Sequence, residues 1–181
     1  MPDNEAPEVP PATESVGDTR TWHLSVAYDG TAFRGWQVQP GQRTVQGELR
    51  QRLRLLFRQP DLRIVGSSRT DAGVHALDQQ VSFASVTPAE LNAERLGQIL
   101  NRWLPDDVRI NTVQEQAPGF NARFDNYGKA YTYCLHIGAK PNPLFARFVW
   151  HVPRGLDLTA MKQVAKALEG EHDFASFAVN A

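Results

Sequence analysis

Trp22-His23-Leu24-Ser25-Val26-Ala27-Tyr28 alternates in polarity and is rich in aromatic and β-branched side chains, the pattern of a strand with one buried face. Asp29-Gly30-Thr31 breaks it, Phe33-Arg34-Gly35-Trp36-Gln37 reads as a short extended piece, and Pro40-Gly41 as a turn. From Thr44, a plausible N-cap, Val45, Leu49, Leu53 and Leu56 recur at helical spacing. Gly47 stands where a glutamate would close a capping box, which weakens that helix start. Leu62-Arg63-Ile64-Val65 reads as a second strand and Gln80-Val81-Ser82-Phe83-Ala84 as a third, with a polar loop over residues 66–75 between them. Thr87-Pro88-Ala89-Glu90 predicts a second helix start: an N-cap, proline at the first helical position and glutamate at the third. Leu91, Leu96, Ile99, Leu100 and Trp103 supply its buried face, and Pro105 stops it. Val108-Arg109-Ile110-Asn111-Thr112-Val113 is the fourth strand. The order β-α-β-β-α-β predicts an α+β, ferredoxin-like fold: an antiparallel sheet with helices on one face and the other free to meet a ligand.

Beyond an irregular stretch at 120–128, Ala130-Tyr131-Thr132-Tyr133-Cys134-Leu135-His136-Ile137 reads as a strand. A helix is predicted from about Asp157, with Leu158, Met161, Val164, Ala165 and Leu168 on one face and Gly170 past its end. This β-then-α order suggests the opening of a second, similar subdomain. The expected organisation is an acidic tail at 1–20, a first subdomain at 21–116 and an incomplete second one at 117–181.

Of the 181 residues, 41% are hydrophobic and 22% charged, as in globular proteins, and no apolar run reaches the 18 residues a membrane helix needs. Residues 1–18 mix prolines with Asp3, Glu5, Glu8, Glu14 and Asp18. That composition buries too little apolar surface to offset its ordering entropy, so it reads as disordered, and it lacks the basic start and apolar core of a secretory signal. Cys134 is the only cysteine, which excludes an intrachain disulfide and a cysteine zinc cluster and fits a cytoplasmic location. The whole chain carries −1, but residues 1–20 carry −4, leaving +3 on the rest. Between residues 41 and 70, Arg43, Arg50, Arg52, Arg54, Arg58, Arg63 and Arg69 face only Glu48 and Asp61, a local excess of the kind that meets phosphates. A solvated helix face would carry the same charges.

Gly66-Ser67-Ser68-Arg69-Thr70-Asp71-Ala72-Gly73-Val74-His75 is the densest polar segment. An arginine two residues before an aspartate can hold the carboxylate in a charge-assisted pair and keep it ionised. Such a carboxylate suits nucleophilic attack or charge stabilisation better than general-acid work. An Asx-turn with a surface ion pair is the plainer alternative. For His75 a packing or turn role is favoured over a metal site or a His-Asp dyad, since no ligand-spaced neighbour accompanies it. No second acid partners Asp71 as glycoside hydrolysis usually requires, and no glycine-rich phosphate loop is present. Tyr131 and Tyr133 share a strand face, where they could stack on an extracted base or pack in a core.

Tyr28-Asp29-Gly30-Thr31-Ala32-Phe33-Arg34-Gly35-Trp36-Gln37-Val38-Gln39, Thr44-Val45-Gln46 and Arg69-Thr70-Asp71-Ala72-Gly73-Val74-His75 resemble, in this order, motifs of the tRNA pseudouridine synthase A family. Phe120-Asn121-Ala122-Arg123-Phe124, Lys129-Ala130-Tyr131-Thr132-Tyr133 and His172-Asp173-Phe174-Ala175-Ser176-Phe177 continue the resemblance, which runs from about Trp22 to Phe177. Ser68 departs from it where many members have glycine, and Lys129-Ala130 where some are more basic.

The resemblance implies that Asp71 is the essential aspartate, that Arg69 pairs with it and helps displace the target nucleotide, and that Tyr131 stacks on the uracil. It implies tRNA contacts in the Tyr28 to Gln46 region, with Arg34, Gln37 and Arg43 as RNA-binding residues. The implied reaction turns uridine into pseudouridine on the 3′ side of the tRNA anticodon stem-loop, in a homodimer, with no cofactor and no metal. Members continue past the position matching Ala181, so the resemblance also implies an incomplete site. The alternatives are a non-catalytic RNA-binding module, an inactive fragment of such an enzyme, or a hydrolase that uses Asp71 to activate water. Val81-Ser82-Phe83 does not spell the basic-Gly-aromatic signature of RNA-recognition domains.

Overall fold

Strand β1 (Asp18–Tyr28) places Trp22, Leu24, Val26 and Tyr28 on one face, each buried. This is the period-2 alternation of a half-buried strand. The computed structural model describes residues 17–178. The expected disordered tail at 1–16 lies outside the described residues, while Asp18, Thr19 and Arg20, assigned to that tail by composition, open β1.

The order after β1 is α1 (Val45–Phe57), β2 (Val65–Gly66), β3 (Ala76–Thr87), α2 (Ala93–Trp103) and β4 (Val108–Gln116). The sheet runs β2-β3-β1-β4, and each recorded pairing is antiparallel. The α+β class and the β-α-β-β-α-β order expected from the sequence are both present. Val45, Leu49, Leu53 and Phe57 of α1 and Leu96 and Leu100 of α2 join the β1 residues in one core, so both helices cover the same face. Leu24, Leu49, Leu53, Leu96 and Leu100 are fully buried, and truncating such a side chain costs about 2–5 kcal/mol.

Two boundaries differ from the sequence reading. Helix α2 starts at Ala93, capped by Asn92, whose side chain accepts from the Arg95 amide at 2.9 Å. Thr87 cannot act as that cap: it closes β3 fully buried, and its Oγ1 accepts from the Trp22 indole at 3.1 Å. Tertiary contact thus takes the residue that local chemistry favoured as the cap. Strand β2 is two residues rather than 62–65. Leu62 and Ile64 are buried, but ladder pairing begins only at Val65 opposite Ser82.

The sheet face away from the helices is polar. Asn111 donates to Ser25 Oγ at 3.3 Å, Ser25 donates to Asp78, and the Ala122 amide donates to Ser82 Oγ at 3.0 Å. Phe120 lies against His23 with ring centroids 4.9 Å apart, so the segment after β4 covers part of this face.

Residues 17–129 form one unit and 130–178 a second. In the second, β5 (Leu135–Ile137) pairs in parallel with β6 (Trp150–Val152), and α3 (Leu158–Ala167) follows. Helix α3 starts where expected, with Asp157 as its cap, accepting from the Thr159 amide at 3.0 Å and the Ala160 amide at 2.9 Å. The predicted strand over 130–137 contracts to its last three residues, and Tyr131 and Tyr133 precede it in irregular backbone. The apolar stripe of α3, including Leu158, Met161, Val164 and Leu168, is exposed.

Candidate functional site

Asp71 sits in the loop joining β2 to β3, and that loop is tied down on both sides of it. Thr70 carries the main anchor: its carbonyl accepts from the Trp36 amide at 2.9 Å, and its Oγ1 is 2.8 Å from the Tyr28 hydroxyl. Beyond Asp71, the Gly73 amide donates to the Phe33 carbonyl at 3.3 Å, and the Val74 amide to the Asp71 carbonyl at 3.2 Å. Before it, Gln79 from β3 accepts from Ser67 Oγ at 3.2 Å and Ser68 Oγ at 3.3 Å and donates to the Ser68 carbonyl.

Two glycines permit these close approaches. Gly35 has φ +89°, and a Cβ there would stand 2.7 Å from the Thr70 carbonyl oxygen. A Cβ at Gly30 would overlap the Val74 carbonyl oxygen. The segment Asp29-Gly30-Thr31, read from sequence as a strand breaker, is therefore the surface on which the Asp71 loop rests.

His75 belongs to the same joint. Its Nδ1 is 3.1 Å from the Gly30 amide nitrogen and 3.1 Å from Asp29 Oδ1. A turn-holding role fits this geometry. The acid beside the ring is Asp29, 46 residues back in the chain, where ligand spacing along the sequence would not find it. Among the described residues no cluster of three or more histidine, cysteine, aspartate or glutamate side chains could hold a metal ion.

Arg69 and Asp71 flank Thr70, whose carbonyl and hydroxyl are both engaged, and are themselves exposed. The expected ion pair between them is not formed: among the described residues no contact within 4 Å joins the guanidinium to the carboxylate. Within 17–129 the Asp71 carboxylate makes no hydrogen bond, so the loop backbone, not a charge partner, sets its position.

Arg34 and Gln37 are exposed on the segment that pins the loop. Arg34 joins Thr31, Ala32, Phe33, Ala72 and Gly73 around an open depression of about 400 Å³. Sequence position separates these groups by some forty residues, and the structure brings an arginine to the rim beside Asp71's neighbours. Arg43 is placed differently. Its guanidinium forks onto Asp107 at 2.7 and 2.9 Å, donates from Nε to Glu48 at 3.2 Å, and lies 4.1 Å from the Phe33 ring centroid. The hydrogen bonds to Asp107, against some burial, hold Arg43 above its ordinary pKa, so it is a fixed cation tying the loop before α1 to the turn before β4. Tyr131 lies in the second unit and is 65% exposed.

A family model described as tRNA pseudouridine synthase matches residues 24–125. A protein of Geobacillus sp. (strain WCH70) called tRNA pseudouridine synthase A is 42% identical over 153 residues, covering 84% of this chain and 61% of its own length. A protein of the same name from Oceanobacillus iheyensis is 44% identical over 84% of the chain and 60% of its own length. Another from Latilactobacillus sakei is 41% identical over 88% of the chain and 64% of its own length. The chain thus spans about three-fifths of the length of the curated relatives it matches.

Proposed function

The chain belongs to the tRNA pseudouridine synthase family, and on that premise we propose that it acts as the uridine-isomerising part of such an enzyme, with Asp71 as its catalytic carboxylate. The observation that carries this reading is the Asp71 loop: a carboxylate without a hydrogen-bond partner in its own unit, on backbone anchored at Thr70, Gly73 and Ser68. Preorganisation of this kind is what a nucleophile or charge-stabilising group needs, since misplacement by a fraction of an ångström is costly in rate.

The reaction is an isomerisation. The N1–C1′ bond of a uridine breaks, a C5–C1′ bond forms, the C5 proton leaves and N1 gains one. Nothing is oxidised or reduced, so no cofactor is called for. Asp71 would serve attack at C6, attack at C1′ or base removal through a glycal equally well. Arg69, free of Asp71 and exposed, is suited to hold the place of the displaced nucleotide. Arg34 on the rim of the 400 Å³ depression would contact the RNA there, and exposed Gln37 on the same segment would extend that contact. Arg43 would act on RNA mainly by holding Phe33 and the loop before α1 in place. Tyr131 would stack on the uracil. The substrate is proposed to be uridine on the 3′ side of a tRNA anticodon stem-loop, bound by a homodimer in the cytoplasm.

Release of tritium from tRNA carrying 5-tritiated uridine tests the reading. Asp71→Ala should abolish release and leave the melting temperature unchanged, because the carboxylate holds nothing in the fold. Normal release from that variant would overturn the assignment. Strand scission by aniline after incubation would instead reveal an abasic product and a hydrolase.

A further inference from the structure

Away from the Asp71 loop, the outward face of α1 carries an unassigned groove. Arg50 and Arg54 are four residues apart, and Arg58, the C-cap, lies four further on, so three cationic stems leave one side of the helix at successive turns. With Gly47, Gln51, Leu55 and Pro60 they line an open concavity of about 590 Å³, which shares no residue with the depression beside Asp71.

The arginine excess over residues 41–70 divides in the structure. Arg43 is bound to Asp107 and Glu48, and Arg52 contacts Glu48 at 2.7 Å. Among the described residues Arg50, Arg54 and Arg58 have no carboxylate within 4 Å. Arg54 donates from Nε to the Leu62 carbonyl at 3.1 Å, which steadies its guanidinium while the two terminal nitrogens stay available. Arg58 adopts φ +52°, the only non-glycine residue with positive φ among those described. Glycine or asparagine would be easier there. An arginine at a strained cap preserves the third charge of the row.

Three like charges in one groove repel one another unless an anion bridges them. Their rise of about 6 Å per step along the helix suits the repeat of successive phosphates on a nucleic-acid strand. The arginine fork matches phosphate oxygens in pairs. Exposed Leu55 and Pro60 on the rim offer apolar contact to the sugar edge. We propose that the Arg50, Arg54 and Arg58 groove is a second RNA-contact surface that grips a phosphate backbone away from the nucleotide held at Asp71. This rests on the proposed function for RNA as the partner.

The test uses the full chain and unfractionated tRNA in a binding titration across a NaCl series, with Arg50→Gln, Arg54→Gln and Arg58→Gln combined. Binding at low salt should weaken about 10- to 100-fold, and the slope of log K against log salt should fall in magnitude by about 2–3, as loss of three phosphate contacts requires. The triple lysine replacement, which keeps the charge and the fold, should retain most of the slope. In tritium release the glutamine variant should raise KM for tRNA far more than it lowers kcat. The proposal is overturned if affinity and slope are unchanged, if the lysine triple loses as much as the glutamine triple, or if wild-type protein binds no tRNA. Loss of binding to polyglutamate with tRNA binding intact would assign the groove to an acidic protein and overturn it too. Tight salt-sensitive binding lost in the glutamine variant, with no tritium release by wild type, would support the groove while sinking the isomerase reading.

Discussion

The loop around Asp71 and the stretch around Tyr131 carry the two side chains proposed to act on one uracil, and they are built in opposite ways. Asp71 rides on backbone held by Tyr28, Trp36, Phe33 and Gln79, over a core that buries Trp22, Leu24 and Leu53 completely. Tyr131 and Tyr133 stand 65% and 79% exposed ahead of a three-residue strand, in a unit whose helix leaves its apolar stripe uncovered. The Asp71 side chain is positioned by its own unit, while Tyr131 belongs to a unit that buries little. The geometry at Asp71 should therefore depend on the contacts that anchor its loop within the first unit, whereas at Tyr131 it should depend on whatever packs there.

The largest break in this contrast is at the carboxylate. Asp71→Ala should cut tritium release by at least about 10³-fold with no change in melting temperature, a separation of chemistry from stability that follows because its carboxylate makes no hydrogen bond among the described residues of its unit. Packing comes next. Leu53→Ala should cost about 2–5 kcal/mol in denaturant unfolding of the first unit, whereas Val164→Ala in α3 should stay within about 0.5 kcal/mol. Comparable losses at both sites would erase the distinction between the units. Tyr28→Phe removes the hydroxyl on Thr70 and should cost about 1 kcal/mol, with a fall in kcat larger than any change in KM. An unchanged kcat would mean that the loop needs no such anchor.

The smallest effect is in pH. The hydrogen bonds to Asp107 hold Arg43 above its ordinary pKa, so its contribution is fully present below the unfolded-state pKa and is lost only as pH rises through the folded one. Titration of Arg43 should therefore leave the stability profile flat between about pH 5 and 10. A change traced to Arg43 by Arg43→Lys within that window would contradict the assigned pairing.

Local chemistry determined much of this protein. The alternation of Trp22 to Tyr28, the α1 stripe from Val45, the Asp157 cap and the order of elements are short-range patterns, and each survives folding because no distant contact opposes it. The motif Arg69-Thr70-Asp71 could mark the proposed site for the same reason, since a motif is a run of neighbours. Tertiary structure decided what depends on partners far apart in the chain. Thr87 yields its capping role because the Trp22 indole, 65 residues away, takes its hydroxyl. Arg43 becomes a structural cation because Asp107, 64 residues on, meets its fork. Asp71 stands without Arg69 because Thr70 between them is claimed by Tyr28 and Trp36, which turns its two neighbours out to solvent.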